Sequence, residues 1–145
     1  MKSKLFGGEI GFRALWPWEE PQDTTKDQLF VVTRELWFES SRGRIVVPEG
    51  LLTDMASIPQ AVHAYLDAKA KTILAPSIVH DYLYEKRGVL PDGRTFSRSE
   101  ADDVLREGCL ACGMRPAQAW VVRRMVGMFG GYRFAATEIG NDVAA

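Results

Sequence analysis

The sequence has few of the features that mark secreted, membrane or nucleic-acid-binding proteins. Its 145 residues include only two cysteines, Cys109 and Cys112, which are too few for a disulfide framework. No uninterrupted apolar run approaches the roughly 18 residues of a transmembrane helix. Eighteen basic and 19 acidic residues give a formal charge of -1, which argues against nucleic-acid binding by bulk electrostatics. These shortages indicate an ordinary globular chain with no transmembrane segment and no nucleic-acid partner.

The size and composition predict one domain. The chain is 46% hydrophobic and 26% charged, close to the average for globular proteins. A chain of this length can bury a sizeable core without disulfides or metal ions. The first residues contain two lysines but no apolar segment of a secretory signal. We therefore expect a single domain spanning residues 1–145 that is made and folded in a cytoplasm.

The first 55 residues favour β-strands. Residues 29–38 carry large apolar or β-branched side chains on both faces, which predicts one strand covered on both sides. Residues 40–43 form a turn signal, and residues 44–48 predict the returning strand of a hairpin. Pro48 has no N–H group, so it should end that strand or lie on a sheet edge. Residues 5–16 could add a further strand.

The remainder of the chain favours helices. Pro59, Pro76 and Pro116 suit first helical turns, and Ser97 with Glu100 forms a capping box. Four segments have helical signals: residues 59–66, 76–88, 98–112 and 116–129. We therefore expect an α+β fold, with a small N-terminal antiparallel β region followed by about four helices.

His80 is the centre of the candidate site. Tyr84 lies on the same helical face as His80, whereas Asp81 is turned away by about 100°. On the next helix, Asp102 borders the apolar stripe and Asp103 should face water. Asp102 is thus the better buried partner for His80. A carboxylate that accepts the Nδ1–H of a histidine leaves Nε2 to take a proton.

Three other interpretations of these residues remain open. The His80–Asp102 pair could merely satisfy two half-buried polar groups. Cys109 and Cys112 could form half of a zinc site with the histidines, although their place on an apolar stripe favours the core. His63, His80, Asp81 and Asp102 are similar to the ligand set of HD-domain phosphohydrolases, but those proteins are all-helical and the β half fits them poorly.

Three ordered motifs resemble an uncharacterised family of tailed-phage and prophage proteins. They are TDxASIP at residues 53–59, HDYLY at residues 80–84 and SRxEAD at residues 97–102. This resemblance implies a virion component of the tail or baseplate, made in the host cytoplasm, with other phage structural proteins as partners. Trp16 and Trp18 flank Pro17 and are our expected contacts with those partners.

A narrower resemblance covers residues 80–102. The HDxxY pattern followed by Ala101-Asp102 is similar to the phospholipase A2 superfamily, and most similar to its parvovirus capsid form. The resemblance implies a general base at His80, calcium binding by Asp81, and a dyad oriented by Asp102 and held by Tyr84. The glycine-rich calcium loop of that superfamily is absent, so Asp54 is expected to supply a second carboxylate.

Two enzymatic functions therefore stand as alternatives to the structural role. The first is a calcium-dependent phospholipase A2-like hydrolase that attacks lipid esters of the host envelope. The second is a cell-wall hydrolase, which would share the His–Asp dyad but cleave a different substrate.

Overall fold

A computed structural model describes residues 5–19, 30–53 and 72–129, which form short antiparallel strands followed by three helices. The α+β expectation is confirmed. The strands are β1 (Phe6–Gly8), β2 (Phe12–Ala14), β3 (Phe30–Val32), β4 (Leu36–Ser40), β5 (Gly43–Val47) and β6 (Leu52–Thr53). The helices are α1 (Leu74–Glu85), α2 (Arg98–Ala111) and α3 (Pro116–Phe129). The further helix expected at residues 59–66 lies outside the described residues.

The strands form two small antiparallel sheets, with orders β1-β4-β5 and β2-β3-β6. The prediction of one strand over residues 29–38 is wrong, because the chain bends after Val32 and enters the other sheet at Leu36. A continuous strand would point Arg34 to the same face as the buried Val32 and Leu36. The bend leaves Arg34 exposed and avoids burying its charge.

The β4–β5 hairpin matches the sequence prediction. Its register pairs Leu36 with Val47 and Ser40 with Gly43, and Gly43 has a φ of 99°. Pro48 follows the last residue of β5, as expected for a residue that cannot donate a backbone hydrogen bond.

The turn of this hairpin is attached to α2. Glu107 accepts hydrogen bonds from the Ser41 backbone N–H (2.8 Å) and from the Ser41 hydroxyl (3.0 Å). Arg42 Nε donates to Glu100 at 3.2 Å. These contacts fix the edge of the first sheet against the helix that carries Asp102.

Two apolar clusters make up the core. The larger lies between the first sheet and helices α1 and α2, and its fully buried members include Phe38, Ile45, Leu83 and Val104. The smaller joins α2 to α3 and contains Leu105, Cys109, Met114, Val122 and Val126, among others. Helix α2 therefore contributes to both clusters, which places its polar buried residues at the centre of the helical layer.

Local signals in the sequence fix the helix ends. Ser97 Oγ accepts from the Glu100 N–H, and Glu100 accepts from the Ser97 N–H, which confirms the capping box of α2. Pro76 lies in the first turn of α1 and Pro116 begins α3. Within the described ranges, no helix combines the length and the apolar character needed to cross a membrane.

Candidate functional site

Helices α1 and α2 position the candidate site. The capping box holds the start of α2 so that Asp102 occupies the fifth position of the helix, beside the buried Ala101 and Leu105. His80 lies near the middle of α1, on a stretch that is buried from Ala75 to Tyr84. Asp103 is half exposed, as the helical pattern predicts, whereas Asp102 is only 1% exposed.

The structure brings His80, Tyr84 and Asp102 together. His80 Nε2 lies 2.7 Å from Asp102 Oδ1, and the Tyr84 hydroxyl donates to the same oxygen at 2.6 Å. The His80 and Tyr84 rings lie one helical turn apart with centroids 4.2 Å apart. The His80 side chain has no exposed surface. Together these groups form a polar network in the core.

The His80 ring is oriented differently from the expected arrangement. The nitrogen that faces Asp102 is Nε2, where Nδ1 was expected. Nε2 lies farther from the backbone than Nδ1, so it is the atom better placed to span the space between two helices. With an ionised Asp102, Nε2 carries the proton and Nδ1 carries the lone pair.

Two arginines complete the surroundings of Asp102. Arg98 Nε and Arg123 Nη1 lie 3.9 and 3.7 Å from Asp102 Oδ2. Arg98 also donates to the carbonyls of Val126 and Gly127 on α3. Asp102 is therefore a buried carboxylate at which contacts from all three helices meet, and this number of partners offsets the cost of its burial.

Sequence reasoning missed both arginines. Arg98 lies four residues before Asp102 on one helix, and this spacing was a readable signal. Arg123 comes from α3, and nothing local to either residue indicates that they meet.

Burial and the neighbouring charge set the protonation states of the network. Burial lowers the pKa of His80 from its ordinary value of 6.5, and it outweighs the Asp102 carboxylate, which acts to raise that pKa. Burial and then the hydrogen bond to Asp102 raise the pKa of Tyr84 far above its usual range. At neutral pH the network therefore holds a neutral imidazole and a protonated phenol.

The two expected calcium ligands are not seen together in the described residues. Asp81 is buried on α1, whereas Asp54 lies outside the described residues. Among residues 5–19, 30–53 and 72–129, no group of three or more histidine, cysteine, aspartate or glutamate side chains could hold a metal ion. Calcium takes six to eight oxygen ligands, so a site at Asp81 would need further oxygen ligands from other groups.

Cys109 belongs to the core. It is fully buried in the cluster between α2 and α3, and burial raises the pKa of its thiol to about 12. Such a thiol is inert and acts as a small apolar side chain. His63, which the zinc and phosphohydrolase interpretations also require, lies outside the described residues.

A cleft of about 400 Å³ lies away from the polar network. One side of the cleft is formed by alternate residues of β5, and the opposite wall includes Tyr82, Leu90 and Pro91. None of His80, Tyr84 and Asp102 lines it. Sequence reasoning did not find this cleft, because its walls come together only through tertiary packing.

The comparison with known families covers the region that carries the network. A family model described as "Protein of unknown function (DUF1353)" matches residues 30–126. This chain belongs to the DUF1353 family. The matched range contains His80 and Asp102, whereas β1, β2, Trp16 and Trp18 precede it. No curated protein and no solved structure gives a significant match.

Proposed function

We propose that this chain is a non-catalytic structural component of a tailed-phage particle, located in the tail or baseplate. The observation that carries the non-catalytic role is the complete burial of His80 against Asp102. The assignment to a phage particle rests on the resemblance of the TDxASIP, HDYLY and SRxEAD motifs to a family of tailed-phage proteins.

The buried network is better suited to holding helices together than to catalysis. A general base must reach the proton that it abstracts, directly or through one water molecule. The His80 side chain has no exposed surface from which it could reach such a proton. Asp102 meanwhile has contacts to α1, to its own helix and to α3. These features support a structural role for the network.

An exposed tryptophan pair supports contact with other proteins of the particle. Trp16 and Trp18 are 58% and 77% exposed, and their rings stack with centroids 5.0 Å apart. The segment is held by Arg13, which donates to both Glu19 carboxylate oxygens at 2.8 and 2.9 Å. Tryptophan is among the residues that contribute most to contact surfaces between proteins.

Mass spectrometry of purified particles tests the proposal. The particles are those of the phage or induced prophage that encodes the chain, banded on a density gradient and washed with salt. We expect the chain to copurify at a constant ratio to the other particle proteins. We also expect the double variant Trp16→Ala/Trp18→Ala to be incorporated less than wild type.

Trp120→Ala is the matched control, because Trp120 is 57% exposed but lies on α3. Absence of the wild-type chain from washed particles would contradict the particle role. If Trp16→Ala/Trp18→Ala and Trp120→Ala were incorporated equally, the tryptophan pair would not be part of the contact surface.

A hydrolase is the second candidate, and the geometry of the network favours it over other enzymes. The contacts of 2.7 and 2.6 Å at Asp102 support a His–Asp dyad held by Tyr84, with Nε2 rather than the expected Nδ1 facing the carboxylate. In the hydrolase reaction His80 is the general base, which takes a proton from a water molecule that attacks an ester carbonyl. Asp102 stabilises the resulting imidazolium, and Tyr84 holds Asp102. A cell-wall hydrolase would use the same dyad on another substrate.

Release of lysolipid from mixed liposomes, with calcium or with a chelator, distinguishes the two candidates. We expect no release above the protein-free blank. Release that is lost in His80→Ala and Asp102→Asn but kept in Asp103→Asn would establish the hydrolase and overturn the non-catalytic role. The same variants on purified cell walls test the second substrate class.

A further inference from the structure

The cleft beside β5 lies along an edge of the first sheet. The described strands have the order β1-β4-β5, so β5 is an edge strand among them. Alternate residues of this part of the chain, Arg44, Val46 and Pro48, line one side of the cleft. Edge strands present backbone N–H and C=O groups that can pair with another chain.

Contacts of Arg94 show which backbone groups point away from β4. Its guanidinium donates to the Arg42 carbonyl at 2.9 Å and also to the Arg44 carbonyl. Backbone groups of an antiparallel strand alternate in direction with every residue. The N–H and C=O of Val46 therefore point to the same free edge as those of Arg44.

Arg94 covers only part of this edge. Asp92 holds it in place by accepting from the Arg94 backbone N–H (3.0 Å) and from Nε (2.7 Å). The carbonyl groups of Arg42 and Arg44 at this edge are thus occupied by Arg94. No hydrogen bond from elsewhere in the described residues reaches the N–H or C=O of Val46. Among the residues that the structure describes, the backbone groups of Val46 are therefore open for pairing.

The surface beside Val46 is apolar and has no unbalanced charge. Tyr82, Leu90 and Pro91 form much of the far wall. Of the two arginines that line the cleft, Arg94 pairs with Asp92. Arg44 pairs with Glu39 and stacks on the Trp37 ring at 3.9 Å. A neutral, apolar group fits this space better than an anion.

Free backbone groups and an apolar wall together define one kind of ligand. We propose that this cleft binds an extended peptide segment of a partner protein, one residue of which pairs with the Val46 backbone while an adjacent apolar side chain packs against Tyr82, Leu90 and Pro91. Main-chain pairing of this kind supplies affinity, and the pocket supplies specificity. The cleft shares no residue with the His80–Asp102 network, so this inference is independent of the proposed particle role.

The test uses the capped pentapeptide acetyl-Ser-Leu-Thr-Leu-Ser-amide as its probe. Titration of the wild-type protein followed by ¹H–¹⁵N NMR should give saturable shifts at the Val46 amide and in residues 90–94. The same peptide with an N-methylated threonine cannot donate to the Val46 carbonyl and should give no saturable shift. A peptide with aspartate in place of both leucines should not bind either.

Two substitutions at one position separate the backbone from the side chain. Val46→Pro removes the N–H that points to the free edge, and an edge strand tolerates proline there. It should weaken binding at least about fivefold. Val46→Ala keeps the N–H and should stay within about twofold of wild type. The dispersion of the NMR spectrum verifies that both variants are folded.

Failure of the leucine probe to give saturable shifts at a concentration of about 5 mM would overturn the inference. So would equal binding of the N-methylated peptide, which would make the cleft a pocket for small apolar molecules. Both peptide titrations use the wild-type protein, so they test backbone pairing at Val46 even if Val46→Pro does not fold.

Discussion

Asp102 Oδ1 lies 2.7 Å from His80 Nε2, and together these two side chains join α1 to α2 across 22 positions of the sequence. Both are buried, so neither can exchange its partner for water. In a low-dielectric core, a polar group that loses its partner retains the whole cost of its burial. The contact should therefore affect stability far more than an ion pair on the surface does.

Replacement of Asp102 by asparagine should strongly destabilise the fold. Asn has nearly the same shape as Asp, but it removes the negative charge that faces Arg98 and Arg123. We expect the free energy of unfolding in urea to fall by about 3 kcal/mol. Asp103→Asn is the matched control, because that carboxylate is half exposed, and it should lower the free energy by about 1 kcal/mol or less. Equal losses for the two variants would contradict a central role for Asp102.

The hydroxyl of Tyr84 should contribute to stability by itself. It donates to Asp102 Oδ1 at 2.6 Å, and a buried hydrogen bond to a charged group contributes about 2 kcal/mol. Tyr84→Phe should lower the free energy of unfolding by that amount. Tyr82 lies two residues earlier on the same helix, and its hydroxyl has no hydrogen bond to any other described residue. Tyr82→Phe should therefore change the free energy by less than about 0.5 kcal/mol, and a comparable loss would count against the assignment.

His80 should make stability depend on pH in mildly acidic solution. Burial lowers its pKa below the ordinary value of 6.5, so the unfolded chain binds the proton more readily than the folded chain. The stability that the neutral, buried His80 contributes is fully present above pH 6.5, the pKa of histidine in the unfolded chain. It is lost as the pH falls below 6.5 toward the lower pKa of the folded state. We expect the free energy of unfolding to decrease by up to about 1.4 kcal/mol per pH unit as the pH falls below 6.5.

Two variants test whether His80 is responsible for this pH dependence of stability. His80→Gln should remove the contribution of His80, whereas His63→Gln, at the other histidine of the chain, should retain it. The acidic residues with lowered pKa values, such as Glu100 from an ordinary value of 4.5, affect stability only in more acidic solution. A slope that persists unchanged in His80→Gln would show that another group is responsible.

Features set by neighbours in the sequence were the predictable part of this structure. The capping box of Ser97 and Glu100 needs only a spacing of three residues, and Pro116 fixes a helix start by its own ring. The pairing of His80 with Asp102 followed from the apolar stripe of α2, which places Asp102 at the border of the core and Asp103 outside it.

Features set by distant parts of the chain were not predictable. The bend after Val32 depends on which sheet each half of the segment joins. The choice of Nε2 over Nδ1 depends on the distance between two helices. The approach of Arg123 to Asp102 depends on how α3 packs. None of these appears in a periodicity or a short motif, because each is decided by tertiary packing.

Gly88 should be the most sensitive glycine of the loop that walls the cleft. Its φ is 76°, and a Cβ atom there would lie 1.8 Å from the Phe96 carbonyl oxygen. The close approach belongs to a hydrogen bond of 2.7 Å between the Phe96 N–H and the Gly88 carbonyl, which closes the loop. Gly88→Ala must both adopt a left-handed conformation and displace backbone, so we expect a loss of about 3 kcal/mol or more.

Gly93 provides the matched control in the same loop. Its φ is 92°, but a Cβ atom there would meet nothing within 4 Å. Gly93→Ala therefore carries only the conformational cost, about 1 kcal/mol. Urea unfolding of the two variants separates the two causes, because only Gly88→Ala contains the clash. Losses of the same size would mean that the loop moves freely away from Phe96, and the wall formed by Leu90 and Pro91 would then be less rigid than the described contacts imply.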